Sequence, residues 1–180
     1  MKAAQIHSFG HADVVDIRDI DRPRAVQGKV VVEVKASSIN PIDTKLREGE
    51  AHRMTRARPP FTLGFDLAGV VAEVGTGVTS LEAGDKVYGQ ASVMAGGTGA
   101  FAQYAVTRPE RLARMPRNLS FEEAASIVLT GTSAWQAIYK HMNLQPRHRI
   151  LIHGGAGGNR HRGHPDGEAH RRLRRYDGIA

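Results

Sequence analysis

Arg149-Ile150-Leu151-Ile152-His153-Gly154-Gly155-Ala156-Gly157-Gly158 is a short apolar run entering a glycine-rich turn, the pattern by which a buried parallel strand meets a phosphate-binding loop. A full dinucleotide fingerprint spaces its glycines as G-x-G-x-x-G: the first for the tight turn, the second for close approach of the pyrophosphate, the third for helix packing. Gly155 and Gly157 fill the first two slots, and Arg160 stands in the third. The stretch supplies half of a nucleotide site and divides the chain. The residues before it read as a domain facing a nucleotide, and those after it read as something else.

Immediately upstream, Ser120-Phe121-Glu122-Glu123 is a capping box opening an alanine-rich helix over residues 124–129. A second helix is expected after Thr130-Gly131-Thr132, with Trp135, Ile138, Tyr139 and Met142 on one apolar face, and core packing is the expected role of Trp135 and Tyr139. Further back the period drops to two. Strands are predicted over residues 2–6, 14–20, 30–36, 64–75, 81–89 and 100–107, separated by Gly and Pro turns, which predicts a small antiparallel barrel. Between the third and fourth strands Pro41 forces Asn40 extended, Asp43 is expected to cap a short helix through Leu46, and Gly49 closes it. Arg53, Arg56 and Arg58 read as a solvated rim. The fold class is thus mainly β with α/β, a barrel followed by the opening of a nucleotide-binding domain.

The totals agree with this reading. An apolar fraction of 41% supports a core, and 20 glycines with 8 prolines supply the turns. With no cysteine, disulfides, thiolate zinc sites and cysteine nucleophiles are excluded together. No apolar run approaches membrane-spanning length and the amino terminus lacks a signal-peptide core, so no membrane partner and a cytoplasmic location are expected. The net charge of +7 is uneven: residues 1–158 carry +4 and the last 22 residues carry +3.

Several segments together resemble one family: Asn40-Pro41-Ile42-Asp43, Gly64-Phe65-Asp66-Leu67-Ala68-Gly69-Val70-Val71, Gly84-Asp85-Lys86-Val87, Gly99-Ala100-Phe101-Ala102-Gln103-Tyr104 and His153-Gly154-Gly155-Ala156-Gly157-Gly158. Over residues 1–158 the chain resembles the medium-chain dehydrogenase/reductase superfamily, in its zinc-independent quinone oxidoreductase branch. The resemblance implies a GroES-like catalytic domain over residues 1–118, linking helices with the first strand and glycine loop of a Rossmann domain over 119–158, and NAD(P)H held between the two domains. It also implies that Asn40 and Thr130 contact the nicotinamide or its ribose, that Gly154, Gly155, Ala156, Gly157 and Gly158 seat the pyrophosphate, and that Ile42, Phe65 and Asp66 line the substrate pocket. An asparagine before proline also commonly just caps a turn; the cofactor role of Asn40 is favoured only through the resemblance.

Zinc-dependent members place a cysteine where this chain has Asn40 and a His-Glu pair where it has Phe65-Asp66. His153, His161, His164 and His170 show neither zinc-site spacing nor carboxylate support, so no metal is expected. Without a Lewis acid, carbonyl polarisation falls to hydrogen-bond donors or to the substrate's own electronics. Quinones, conjugated enones and related carbonyls fit that limitation as small-molecule substrates. No residue is assigned as a catalytic acid, as is common where a cofactor carries the chemistry.

After Gly158 the family continues with an amphipathic helix and a second strand. Here Asn159-Arg160-His161-Arg162-Gly163-His164-Pro165-Asp166-Gly167 and two Arg-Arg pairs come instead, with no apolar period. Written as possible codons and read one nucleotide later, residues 159–180 permit a glycine in the slot of Arg160, then an amphipathic helix, a glycine cap and a strand. The expectation is a frameshifted, prematurely ended member whose two-domain relatives need about 300 residues. The small residues permitted after that second strand favour NADP(H) over NAD(H), since an acidic residue there binds the 2′-hydroxyl of NAD. The full-length relative is expected to be a homo-oligomer, and the present chain to be impaired as a catalyst. Two competing readings stand beside it: a basic arm for RNA or DNA phosphate, disfavoured because only Tyr176 interleaves an aromatic, and a non-catalytic barrel for a protein partner. Resequencing the source gene from the Gly154 codon onward is expected to reveal one spurious nucleotide and an open frame through a Rossmann domain; an unaltered frame would refute the frameshift.

Overall fold

The computed structural model describes residues 1–51, 57–145 and 147–152, with the backbone of Arg174 and Arg175. The chain divides into two units, Met1–Val128 and Leu129–Ala180.

The first unit is built from two antiparallel sheets. β1 (Lys2–Ile6) is central in a three-stranded sheet, between β2 (Val15–Asp19) and the two-residue β4 (Phe61–Thr62). The larger sheet holds β3 (Val30–Ser38), β5 (Asp66–Val74), β6 (Lys86–Gln90), β7 (Tyr104–Thr107) and β8 (Leu112–Arg114) in the order β7-β3-β5-β6-β8. Residues 100–107 were expected to form one strand, but only the last four do. The preceding stretch joins the two sheets instead: Ala4 N–H donates to the Phe101 carbonyl at 2.8 Å, Gln103 N–H donates to the Lys2 carbonyl at 3.1 Å, and Ala3 bridges Ala102. The inward apolar positions fill the expected core, with Val30, Val32, Leu67, Val71, Val87 and Ala105 all at most 1% exposed.

The β3–β5 pairing carries the site. Its register slips at Val31/Val32 and again at Val34/Ala36, so Lys35 is an unpaired extra residue. Such a bulge re-phases which side chains face which side, and beyond it Ser38 pairs with Asp66. Gly69 lies opposite Val34, where a Cβ would stand 2.1 Å from the Glu33 carbonyl oxygen.

Two helices belong to this unit. α1 (Pro41–Arg47) has Asn40 as its N-cap and Asp43 at the third helical position, not Asp43 as cap. Proline's fixed φ and missing N–H suit the first helical position, which starts the helix one turn earlier than expected. Glu48 ends it and Gly49 follows at φ +83°. α2 (Phe121–Ser126) opens with the predicted capping box: Ser120 N–H donates to Glu123 Oε2 at 2.8 Å, and Glu123 N–H donates to Ser120 Oγ at 3.2 Å. It buries Ala124 and Ala125 against Ala68 of β5.

α3 (Val128–Trp135), in the second unit from Leu129 onward, runs straight through Thr130-Gly131-Thr132, where a break was expected, and continues into a π-helical turn over Gln136–His141. A lone glycine costs a helix only about 1 kcal/mol, too little to end it. Trp135 is not core: it is 58% exposed, Tyr139 is 39% and Met142 is 46%, and the two rings lie 5.6 Å apart on each other. The apolar period is real, but Trp135, Tyr139 and Met142 on that face stay exposed. Likewise the expected buried parallel strand is a two-residue β9 (Arg149–Ile150) paired antiparallel with β10 (Arg174–Arg175), and Leu151 is 66% exposed. No helix among the described residues is long and apolar enough to cross a membrane.

Gly69→Ala forces a methyl group onto the Glu33 carbonyl and is expected to lower stability by about 2–3 kcal/mol. Urea unfolding of both chains checks this; an unchanged midpoint would show that β3 and β5 can move apart freely.

Candidate functional site

At the carboxyl end of β3, the start of α1 and the start of β5, four polar side chains converge. Asp66, the first residue of β5, is 1% exposed, and burying a carboxylate costs several kcal/mol unless donors surround it. Those donors come from the β3–α1 junction. Ser38 Oγ donates to Asp66 Oδ2 at 2.8 Å, and Asn40 Nδ2 donates to the same oxygen at 2.8 Å. Nδ2 also donates to Ser38 Oγ at 3.4 Å, and Ser37 Oγ donates to the Asp66 carbonyl.

Asn40, 6% exposed, is held from its backbone as well. Its N–H donates to Asp43 Oδ2 at 2.8 Å, the reaching-back half of a capping box. Asp43 is 5% exposed. Burial pushes its carboxyl up to about 6 from the ordinary 3.8, and the negative charge of Asp66 adds to the rise, while the backbone amides of Asn40 and Gly64 oppose it. Gly64 can serve there because it sits at φ +103°, and a Cβ would fall 2.5 Å from the Phe101 backbone nitrogen. One asparagine is therefore clamped by two buried carboxylates, one on its amide side chain and one on its main chain.

Of the expected site residues, the structure brings together Asn40 and Asp66, with Phe65 beside Asp66, half-buried, its carbonyl accepting from Ala91 N–H at 3.0 Å. Ile42 is half-buried against the cluster of Ile6, Leu46, Phe61 and Leu63. Thr130 lies on α3, in the second unit. Gly154, Gly155, Ala156, Gly157 and Gly158 lie outside the described residues, as do His153, His161, His164, His170, Arg53 and Arg56. Sequence reasoning missed Ser37, Ser38 and the partnership of Asp43. The signal was present in Asn40-Pro41-Ile42-Asp43, which is an N-cap, a proline at the first helical position and an acid at the third. Among the described residues no three His, Cys, Asp or Glu side chains gather as a metal would require.

Residues 26–117 match the alcohol dehydrogenase GroES-like domain family, just over half of the chain. Over 159 residues the chain is 30% identical to a quinone oxidoreductase of Lama guanicoe, covering 88% of this chain and 46% of that protein. It is 34% identical over 163 residues to a 2-methylene-furan-3-one reductase of Solanum lycopersicum, covering 88% and 42%. The crystal structure of Escherichia coli quinone oxidoreductase complexed with NADPH is similar at a TM-score of 0.77 and 29% identity, covering 89% of this chain and 47% of that one. The chain spans less than half the length of these relatives.

The Asp43 carboxyl ties the site to pH. Its folded pKa lies above the ordinary value, so between 3.8 and about 6 the folded state binds more protons than the unfolded state. The contribution to stability is full below 3.8 and is lost as pH rises through about 6. Asp43→Asn is expected to remove this downward slope. Urea unfolding across that window checks it, and identical slopes in both chains would place the titration elsewhere.

Proposed function

We propose for this chain, which belongs to the alcohol dehydrogenase GroES-like domain family and to the quinone oxidoreductase-like branch of the medium-chain dehydrogenase/reductase superfamily, the zinc-independent reduction of a quinone, conjugated enone or related carbonyl with NADPH. The single observation that carries this reading is the amide of Asn40, fixed by Asp66 and Asp43 at the junction of β3 and α1. A carboxylate only accepts, so the amide nitrogen faces Asp66 and the Asn40 oxygen, with its two lone pairs, is the acceptor end of the side chain. A nicotinamide nucleotide offers matching donors, the N–H₂ of its carboxamide and the hydroxyls of its ribose, so the side chains present fit the group. Asn40 would hold the nicotinamide end, with Thr130 as a second contact and Gly154 to Gly158 at the pyrophosphate. When bound, the nucleotide supplies a hydride.

The chain's own residues bind and orient. Ile42 and Phe65, both half-buried, are assigned to the substrate pocket, with Asp66 acting behind them through Asn40. Where zinc-dependent relatives carry thiolate and imidazole, this site carries an amide, a phenyl ring and a carboxylate that already accepts two hydrogen bonds. That donor set suits a substrate whose carbon is already electrophilic. The name of the quinone oxidoreductase relatives supports a quinone, that of the tomato reductase an enone, and the NADPH in the Escherichia coli structure supports the cofactor choice. The division into a catalytic domain over 1–118, linking segments over 119–158 and a separate tail, and a cytoplasmic setting, belong to the same proposal.

Turnover, expected to be slow because this chain is read as impaired as a catalyst, is checked by the loss of NADPH absorbance with a soluble benzoquinone. Unchanged activity after exhaustive chelation is expected, and Asn40→Ala is expected to raise the KM for NADPH about tenfold, the worth of one hydrogen bond lost from cofactor binding. Activity restored only by added zinc, or a KM indifferent to Asn40, would overturn the reading.

A further inference from the structure

We infer that Asp66 is a positioning residue, a lock that sets which end of the Asn40 amide is presented to a ligand. The inference rests on the cofactor reading above and extends it to a residue otherwise assigned to the substrate pocket. An asparagine side chain is nearly symmetric in shape and can present either oxygen or nitrogen at the same point; only its partners decide. Here the decision is one-sided. Asp66 is almost fully buried, and as a carboxylate it only accepts: its Oδ2 takes both the Asn40 amide and the Ser38 hydroxyl at 2.8 Å. Turning the amide over would set its oxygen against that carboxylate and leave a buried donor without its acceptor. Such a lone-pair clash costs more than the bond gained on the other side.

The lock has two supports. The Ser38–Asp66 register pair, made possible by the bulge at Lys35, brings the hydroxyl to the carboxylate from the neighbouring strand. Asp43 fixes the Asn40 main chain through its N–H at 2.8 Å, so the point from which the side chain springs is held in place. From that point the amide nitrogen is held by Asp66 Oδ2 at 2.8 Å and, more loosely, by Ser38 Oγ at 3.4 Å, so Asp66 chiefly governs which end faces outward. Asp66 thus acts on the ligand through Asn40, and a neutral residue of the same shape would release the choice: an amide at position 66 can donate as well as accept, which makes both orientations of Asn40 comparable in energy.

The test uses the full 180-residue chain labelled with ¹⁵N, as wild type, Asp66→Asn, Asn40→Ala and the double variant. In the wild type without cofactor, the two Asn40 side-chain amide protons are expected to be resolved and protected from solvent exchange. In Asp66→Asn that protection is expected to fall at least tenfold while the backbone spectrum stays folded. Wild-type protons that exchange as freely as those of an exposed asparagine would overturn the lock with no variant needed. NADPH is then titrated into each chain by chemical-shift change. Asp66→Asn and Asn40→Ala are each expected to weaken binding about tenfold, and the double variant no further than Asn40→Ala alone, because Asp66 has nothing to act through once the amide is gone. Losses that multiply would give Asp66 a separate role and overturn the inference. Binding indifferent to Asn40→Ala would overturn the cofactor reading instead, and the lock would then stand or fall on the Asn40 amide protons alone.

Discussion

Burying Asp66 is the constraint on which the rest of this site depends. A carboxylate removed from water is strongly unfavourable unless donors replace the lost solvent, and the fold supplies them from a neighbouring strand and a helix start. Ser38 must lie opposite Asp66, which the two register slips in the β3–β5 pairing arrange. A slip of one residue would turn Ser38 away and bring another side chain to the carboxylate. The bulge therefore belongs to the site as much as the polar residues do. The same pairing demands Gly69, because the strands run too close there for any side chain. Backbone proximity, register and charge satisfaction are here one requirement seen at three positions.

The two carboxylates differ in role because they differ in donors. Asp66 accepts from a side-chain amide and a hydroxyl, both from fixed positions. Asp43 accepts from the backbone amides of Asn40 and Gly64, and burial with the nearby negative charge of Asp66 outweighs these bonds. Asp43 is thus a carboxyl whose proton exchanges at mildly acidic pH, through about 6, and it sits on the main chain of the residue that Asp66 orients. Holding Asn40 from both ends restricts it more than either carboxylate could alone, since each removes a different rotation.

Much of this is legible in the sequence where a residue's chemistry leaves one local option. Period-two runs separated by glycine and proline predict the barrel, and Ser120 with Glu123 predicts the cap of α2, because these signals depend on neighbours within a few residues. Asn40-Pro41 stands out in the same way, but its helix begins earlier than expected, since a proline at the first helical position leaves the cap to the residue before it. The expectations that fail depend on distant partners. Residues 100–103 have strand-like composition, yet their backbone groups are taken by β1, by the Leu63 and Gly64 carbonyls and by Val34 of β3 rather than by one ladder. Trp135 and Tyr139 carry the spacing of a buried face, but spacing says only which residues share a face, not what covers it. Asp66 is marked by its position in a motif. That it works through Asn40 requires the register between two strands, which no local signal encodes.

The residue types at Asn40 and Phe65 also bear on the kind of chemistry proposed. A cysteine and a histidine at these places would offer lone pairs to a cation, whereas an amide whose nitrogen is committed offers a single neutral oxygen. Such an oxygen can accept a hydrogen bond but cannot withdraw electron density from a carbonyl. A site built this way can select and orient a donor-bearing nucleotide while adding little to the electrophilicity of what lies beside it. On the proposed reading the activation resides in the substrate, in the low-lying acceptor orbital of a quinone or the conjugation of an enone. The lock on Asn40 fits that division, because a site that contributes mainly orientation must control it closely: misplacement of a reacting group by about 1 Å can cost a hundredfold in rate.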